Sequence, residues 1–208
     1  MKTTLLAIIA VAACATAPHQ GPSEHIVSPA AQARPDSGRL RYTAADVHFM
    51  AGMIGHHAQA VLMAGWAPTH AAGAPVRALC ERIVVGQRDE IALMQRWLGE
   101  RHEPVPEADA AHYAMPGMDH SMLMPGMLTA EQLAQLDRAR GPEFDRLFLT
   151  LMIQHHQGAI TMVNQLFGSQ GGGEQETVFR FASDVFADQS TEIDRMNRML
   201  EAFNRSPQ

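Results

Sequence analysis

Asp145-x-x-Phe148-x-x-x-Met152-Ile153-x-His155-His156-x-x-Ala159-x-x-Met162 is a near copy of a segment earlier in the chain. The earlier segment reads Asp46-x-x-Phe49-x-x-x-Met53-Ile54-x-His56-His57-x-x-Ala60-x-x-Met63, at a constant offset of 99. A second block follows each copy. Gln87-x-x-Glu90-Ile91-x-x-Met94 recurs as Gln189-x-x-Glu192-Ile193-x-x-Met196, offset by 102. Histidine and methionine are uncommon residues, so this many matches in order mark an internal duplication. The chain is two similar halves, each a His-His block followed by a Gln-Glu-Met block.

Within each block, apolar residues recur at spacings of three and four, which predicts helices. Thr43 and Asp46 form a capping-box pattern, and Pro68 closes the first helix after Trp66. Pro75 suits the first turn of a second helix that runs to Leu98, with Gly99 beyond. Thr129 and Gln132 cap a short helix expected to end at Gly141. Pro142 opens the third long helix, to Phe167, and a glycine-rich turn precedes a fourth from about 174 to 203. No segment shows strand alternation. Short connections join the first long helix to the second and the third to the fourth, so each half is an antiparallel helical hairpin. The expected fold class is all-α: an antiparallel four-helix bundle of two duplicated hairpins, with a long Met-rich connection between them.

At 100° per residue, Asp46, Met50, Met53 and His57 form one stripe, and Phe49, His56, Ala60 and Met63 the next. The second copy repeats this, except that Leu149 replaces Met50. Both stripes coincide with the apolar face, so the histidines point to the core or its edge. Glu90 and Glu192 lie on the apolar sides of their helices, where a carboxylate is costly unless paired. A histidine of the facing helix is the expected partner, which would fix its tautomer and leave the other ring nitrogen for a metal. Gln87 and Gln189 stand one turn away in the same positioning role. Met94 and Met196 complete the repeated set. A packing role explains a lone His doublet or Met stripe equally well, and duplication preserves packing as well as sites.

The connection between the halves is independent of that ambiguity. Residues 115–127 offer Met115, Met118, His120, Met122, Met124 and Met127, and Met-Pro-Gly-Met occurs in them twice. A loop with two Pro-Gly turns has no helical face to bury, so packing explains these methionines poorly. Thioether and imidazole ligands favour Cu(I) among first-row ions, and Ag(I) behaves alike.

The chain has 208 residues, with Met 14 and His 11 as its unusual counts and a formal net charge of −6. Acidity without a basic stripe argues against nucleic acid as a partner. Lys2 and the apolar run Leu5–Ala13 read as an export signal, too short to cross a bilayer. Cys14 is either a lipidated N-terminus after a lipobox-like Val11-Ala12-Ala13 or part of an ordinary signal-peptidase site. Either cut leaves Cys80 as the only core cysteine, expected to be a small buried residue. The expected organisation is a signal peptide over 1–15, a flexible tether over 16–41, and the helical domain over 42–205 with a Met-rich linker at 100–128. No Glu-x-x-His, His-Glu-x-x-His, nucleophile elbow or phosphate loop occurs, so no catalytic residue is assigned. Asp46 and Asp145 are expected to cap helix starts rather than ligate.

These segments resemble domain-of-unknown-function family 305, whose hallmark is two helical His-His segments each followed by Gln-x-x-Glu-Ile-x-x-Met. The run from Gly141 to Ala159 is especially similar, and the resemblance spans roughly residues 42–201. It implies a ferritin-like helical bundle in exported bacterial proteins, some of them associated with copper binding and with copper or silver resistance. That implication falls here on His56, His57, His155, His156, Met53, Met63, Met152 and Met162. The function expected is envelope Cu(I)/Ag(I) sequestration or trafficking, with a copper-transfer protein as partner. The membrane would be met only through an N-terminal lipid. A metal-free structural or stress-related module and a ferritin-like redox enzyme are the alternatives.

Overall fold

The computed structural model describes residues 42–110 and 123–205. Every regular element among them is a helix, and there is no strand among the described residues. Helix α1 is Ala44–Gly65, α2 Ala74–Gly99, α3 Ala130–Arg138, α4 Pro142–Gly168 and α5 Glu176–Arg205. No helix among the described residues is long and apolar enough to cross a membrane. The export signal, Cys14 and the tether lie outside the described residues, as do Met115, Met118, His120 and Met122.

Local chemistry sets the helix ends. Thr43 Oγ1 accepts from the Asp46 amide at 3.3 Å, and Asp46 Oδ2 accepts from the Thr43 amide at 2.7 Å. Thr129 and Gln132 form the same box at the start of α3. Such caps satisfy amides that the first turn leaves unpaired, worth about 1 kcal/mol each. Pro75 and Pro142 occupy the opening turns of α2 and α4, where a missing N–H costs nothing.

Helix α1 packs mainly on α2, and α4 on α5, giving two helical hairpins that meet along α1 and α4. Of the two aspartates expected to cap, only Asp46 does so: the N-cap of α4 is Gly141, with no side-chain cap, and the Asp145 carboxylate is turned to the other hairpin instead. Asp46 Oδ1 also accepts from the Gly173 amide at 2.7 Å. Asp145 accepts from the Gly73 amide at 3.1 and 3.0 Å. Each hairpin's first aspartate thus ties down the turn of the other hairpin, which spacing alone does not reveal.

The buried apolar side chains fall into two clusters. One holds Ala60, Met63, Leu79, Ile83, Phe148, Met152 and Met196, and the other holds Phe49, Met53, Met94, Ala159, Met162, Phe181 and Val185. Repeat partners sit in opposite clusters: Phe49 and Phe148, Met53 and Met152, Met63 and Met162, Met94 and Met196. An approximate twofold axis that exchanges the hairpins therefore passes between the clusters. Both His doublets lie in that dividing layer. Cys80 is buried in the first cluster as a free thiol, and burial pushes it up to about 12, so it is inert as a thiolate.

A buried histidine row as candidate metal centre

His56, His57, His155 and His156 are all fully buried. They form one row. The His56 and His155 rings lie 3.9 Å apart between centroids across the α1–α4 contact. His57 follows His56 at 6.4 Å, and His156 follows His155 at 6.2 Å. A carboxylate closes each end: His57 Nε2 lies 2.7 Å from Glu90 Oε2, and His156 Nε2 lies 2.7 Å from Glu192 Oε2. The row therefore reads Glu90–His57–His56–His155–His156–Glu192, with the pseudo-twofold axis at its centre.

Partner chemistry decides which ring nitrogens are free. A carboxylate accepts, so His57 and His156 donate through Nε2. His56 Nε2 lies 3.0 Å from the Pro125 carbonyl, which can only accept, so it too carries its proton there. In the neutral rings this leaves three Nδ1 lone pairs, and none of these Nδ1 atoms has a hydrogen-bond partner. His155 has no partner at either nitrogen. The Oε1 atoms of Gln87 and Gln189 are likewise buried and unpaired. Orphaned acceptors at this density are costly in a core and are the donor set a metal ion requires.

The electrostatics agree. Burial, and then the neighbouring His57, push His56 down to about 3. Burial, followed by His56 and His156, holds His155 well below the usual imidazole value. Both central rings are therefore neutral at pH 7, the state a metal needs. For Glu192, burial opposes ionisation, but hydrogen bonds and charge from His156 and Arg82 outweigh it and hold the carboxyl below its usual range. Arg82 reaches Glu192 Oε1 at 3.2 Å. Among the described residues, no three His, Cys, Asp or Glu side chains already surround one point, so the row is not a closed cage.

Two routes approach the row. A groove of about 330 Å³ between α2 and α5 is lined by Arg82, Gln87, Glu90, Asp188, Gln189 and Glu192. Elsewhere the end of the Met-rich connection lies across α1 and α4. Gln59 holds both polar groups of Leu128, donating to its carbonyl at 3.1 Å and accepting from its amide at 2.7 Å. Gly126 presses against Gly158 so closely that a Cβ at Gly158 would stand 1.9 Å from the Pro125 carbonyl oxygen. Gln59 and Gly158 occupy equivalent places in the repeat, and their mismatch is the one sequence sign that the connection docks asymmetrically.

Of the residues singled out by sequence, the structure brings the four histidines, Glu90 and Glu192 into one row. Gln87 and Gln189 lie along the groove beside it. Met53, Met94 and Met162 belong to one flanking apolar cluster, and Met63, Met152 and Met196 to the other. Met124 is partly buried against the first of these, and Met127 is buried. Sequence reasoning missed Pro125, Gln59 and Gly158.

A domain of unknown function, DUF305, matches residues 46–200. No curated protein matches the chain. Among solved structures, a DUF305 fragment from Deinococcus radiodurans is 29% identical, covering 78% of this chain and 99% of that one, with a TM-score of 0.66. A DUF305 protein from Streptomyces coelicolor, described as secreted, is 27% identical over 79% of this chain and 96% of that one, with a TM-score of 0.63. CopM in its Cu(I)-bound form is 27% identical over 78% of this chain and 99% of its own, with a TM-score of 0.58. CopM has also been solved in Cu(II)-bound and Ag-bound forms.

Proposed function

This chain belongs to the DUF305 family, and we propose that it is an exported copper-binding protein that sequesters Cu(I), or Ag(I) in its place, at the buried histidine row. We read its two hairpins as a four-helix bundle whose mid-layer is the metal site. The observation that carries this is the row itself: four buried imidazoles with unpartnered nitrogens, two of them oriented by carboxylates. The copper- and silver-bound forms of CopM support the choice of metal. Imidazole suits copper in either oxidation state, and the surrounding thioethers shift the preference to Cu(I). His56, His57, His155 and His156 would hold the ion through nitrogen. Glu90 and Glu192 would fix the rings and offset the added charge. Export agrees with the secreted description of the Streptomyces relative, and a copper-transfer protein would be the partner.

The test is a titration of the full chain with Cu(I) against a chromophoric chelator. Wild type competes for the metal, and the His56/His57/His155/His156 alanine variant, checked for helicity by circular dichroism, loses the metal held at the row. Wild type that leaves the chelator saturated at every ratio defeats the reading.

A further inference from the structure

A second cluster of soft ligands stands at the surface, outside the row. A cavity of about 350 Å³ at the start of α1 is lined by His48, Phe49, Met124, Met162 and Gln165, among others. Gly52, one turn beyond His48 on α1, lies beneath it. A Cβ at Gly52 would sit 2.9 Å from Met124 Sδ and 3.5 Å from Met162 Cε. The missing side chain lets the Met124 sulfur, from the connection, and the methyl end of Met162, from α4, lie over a single point of α1. His48 is exposed beside them, and Met124 is only partly buried.

We propose that His48, Met124 and Met162 form an outer site for a soft monovalent ion, Cu(I) or Ag(I), distinct from the buried row and serving as its capture point. Two uncharged thioethers with one imidazole select a soft cation over the hard divalent ions that carboxylates take. The site is joined to the interior by one peptide unit: Met124 supplies the sulfur, and the next carbonyl, that of Pro125, holds His56 at 3.0 Å. Metal taken up at the mouth is then one residue from the first ring of the row. The role as capture point rests on the copper reading above; the outer site itself does not.

The experiment measures Cu(I) stoichiometry of the full chain by chelator competition in three forms. Wild type should bind an outer equivalent in addition to the row. The Met124→Leu/Met162→Leu variant, which preserves volume, should lose that equivalent or bind it at least about tenfold more weakly. The four-histidine variant should keep it, and X-ray absorption of that variant should show sulfur with a single nitrogen neighbour. Gly52→Ala, which drives a methyl against Met124 Sδ, should weaken the outer equivalent alone. A leucine variant with wild-type stoichiometry and affinity overturns the outer site and leaves the histidine row standing. Loss confined to the leucine variant, with the histidine variant unchanged from wild type, supports the outer site and overturns the row. A wild type that binds no Cu(I) overturns both.

Discussion

His155 is a costly residue to keep. It is fully buried, neutral, and without a partner at either nitrogen. Its repeat partner His56 has the Pro125 carbonyl, and the outer rings have their carboxylates. A buried polar group left unpaired costs about 1–3 kcal/mol, and an apolar side chain of similar size removes that cost. His155→Leu should therefore stabilise the metal-free protein by about 1 kcal/mol, raising Tm by about 2–4 °C, while copper affinity falls. His156→Leu should do the opposite to stability, because it strips Glu192 of its imidazole donor and leaves Arg82 as its partner, at a cost of roughly 1–3 kcal/mol. Thermal unfolding of both metal-free variants checks the pair. A His155→Leu protein that melts well below wild type would mean that the ring is there for packing. The pairing of Glu90 and Glu192 with histidine was legible from their place on apolar helix faces. The difference between His56 and His155 was not, because it depends on a carbonyl delivered from 69 positions away with no periodicity to announce it.

At the level of elements, the helices were legible almost to their ends. Thr43 with Asp46, Thr129 with Gln132, and the opening prolines are local signals, and local signals suffice for caps. The docking of the connection was not legible, since loops carry no period. It depends instead on Gln59 and Gly158, where the repeat breaks. Gly158→Ala places a methyl inside the Pro125–Gly126 backbone, which cannot yield as a side-chain end would. The substitution favours helix intrinsically, yet it should destabilise the protein by about 1–3 kcal/mol through overpacking. It should also release residues 124–128 from α4. Hydrogen exchange should then show the Leu128 amide, now held by Gln59 at 2.7 Å, losing protection while the amides of α2 keep theirs. Unchanged exchange at Leu128 would show that the connection is held by other means. Gln59→Ala is the complementary change. It removes both bonds to Leu128 without steric conflict, and should expose the same amide at a smaller cost in stability.

In the whole molecule, the pseudo-twofold axis runs through the histidine layer, so the most polar stratum of the core lies between its two most apolar ones. The two aspartate ties, Asp46 to Gly173 and Asp145 to Gly73, brace the hairpins across that layer. The arrangement makes stability depend on pH, and the sign follows from which state takes up protons. An imidazole in the unfolded chain titrates near ~6.5. In the folded protein His56 titrates at about 3, and His155 well below its usual value. As pH falls below ~6.5 the unfolded chain gains protons that the folded one refuses. Each such ring then costs up to about 1.4 kcal/mol per pH unit until the folded group itself titrates, near 3 for His56. Glu192, held below its usual range, adds a loss of the same sign at lower pH. Asp145 and Asp188 are raised, mainly by burial, and oppose the trend where carboxyls titrate. Urea midpoints of the metal-free protein should therefore drop steeply from pH 7 to pH 4.5, and a His56→Leu/His155→Leu protein should show a much flatter profile. Copper bound as proposed would add stability that grows with the logarithm of free copper over its Kd. The unfolded chain takes up protons as the pH falls, while copper holds the folded rings deprotonated. The folded His56 and His155 are neutral with or without copper across this range, so the copper-loaded and metal-free midpoints should fall in parallel from pH 7 to pH 4.5. A metal-free midpoint that stays level between pH 7 and pH 4.5 would mean that the central rings are not buried neutral in solution.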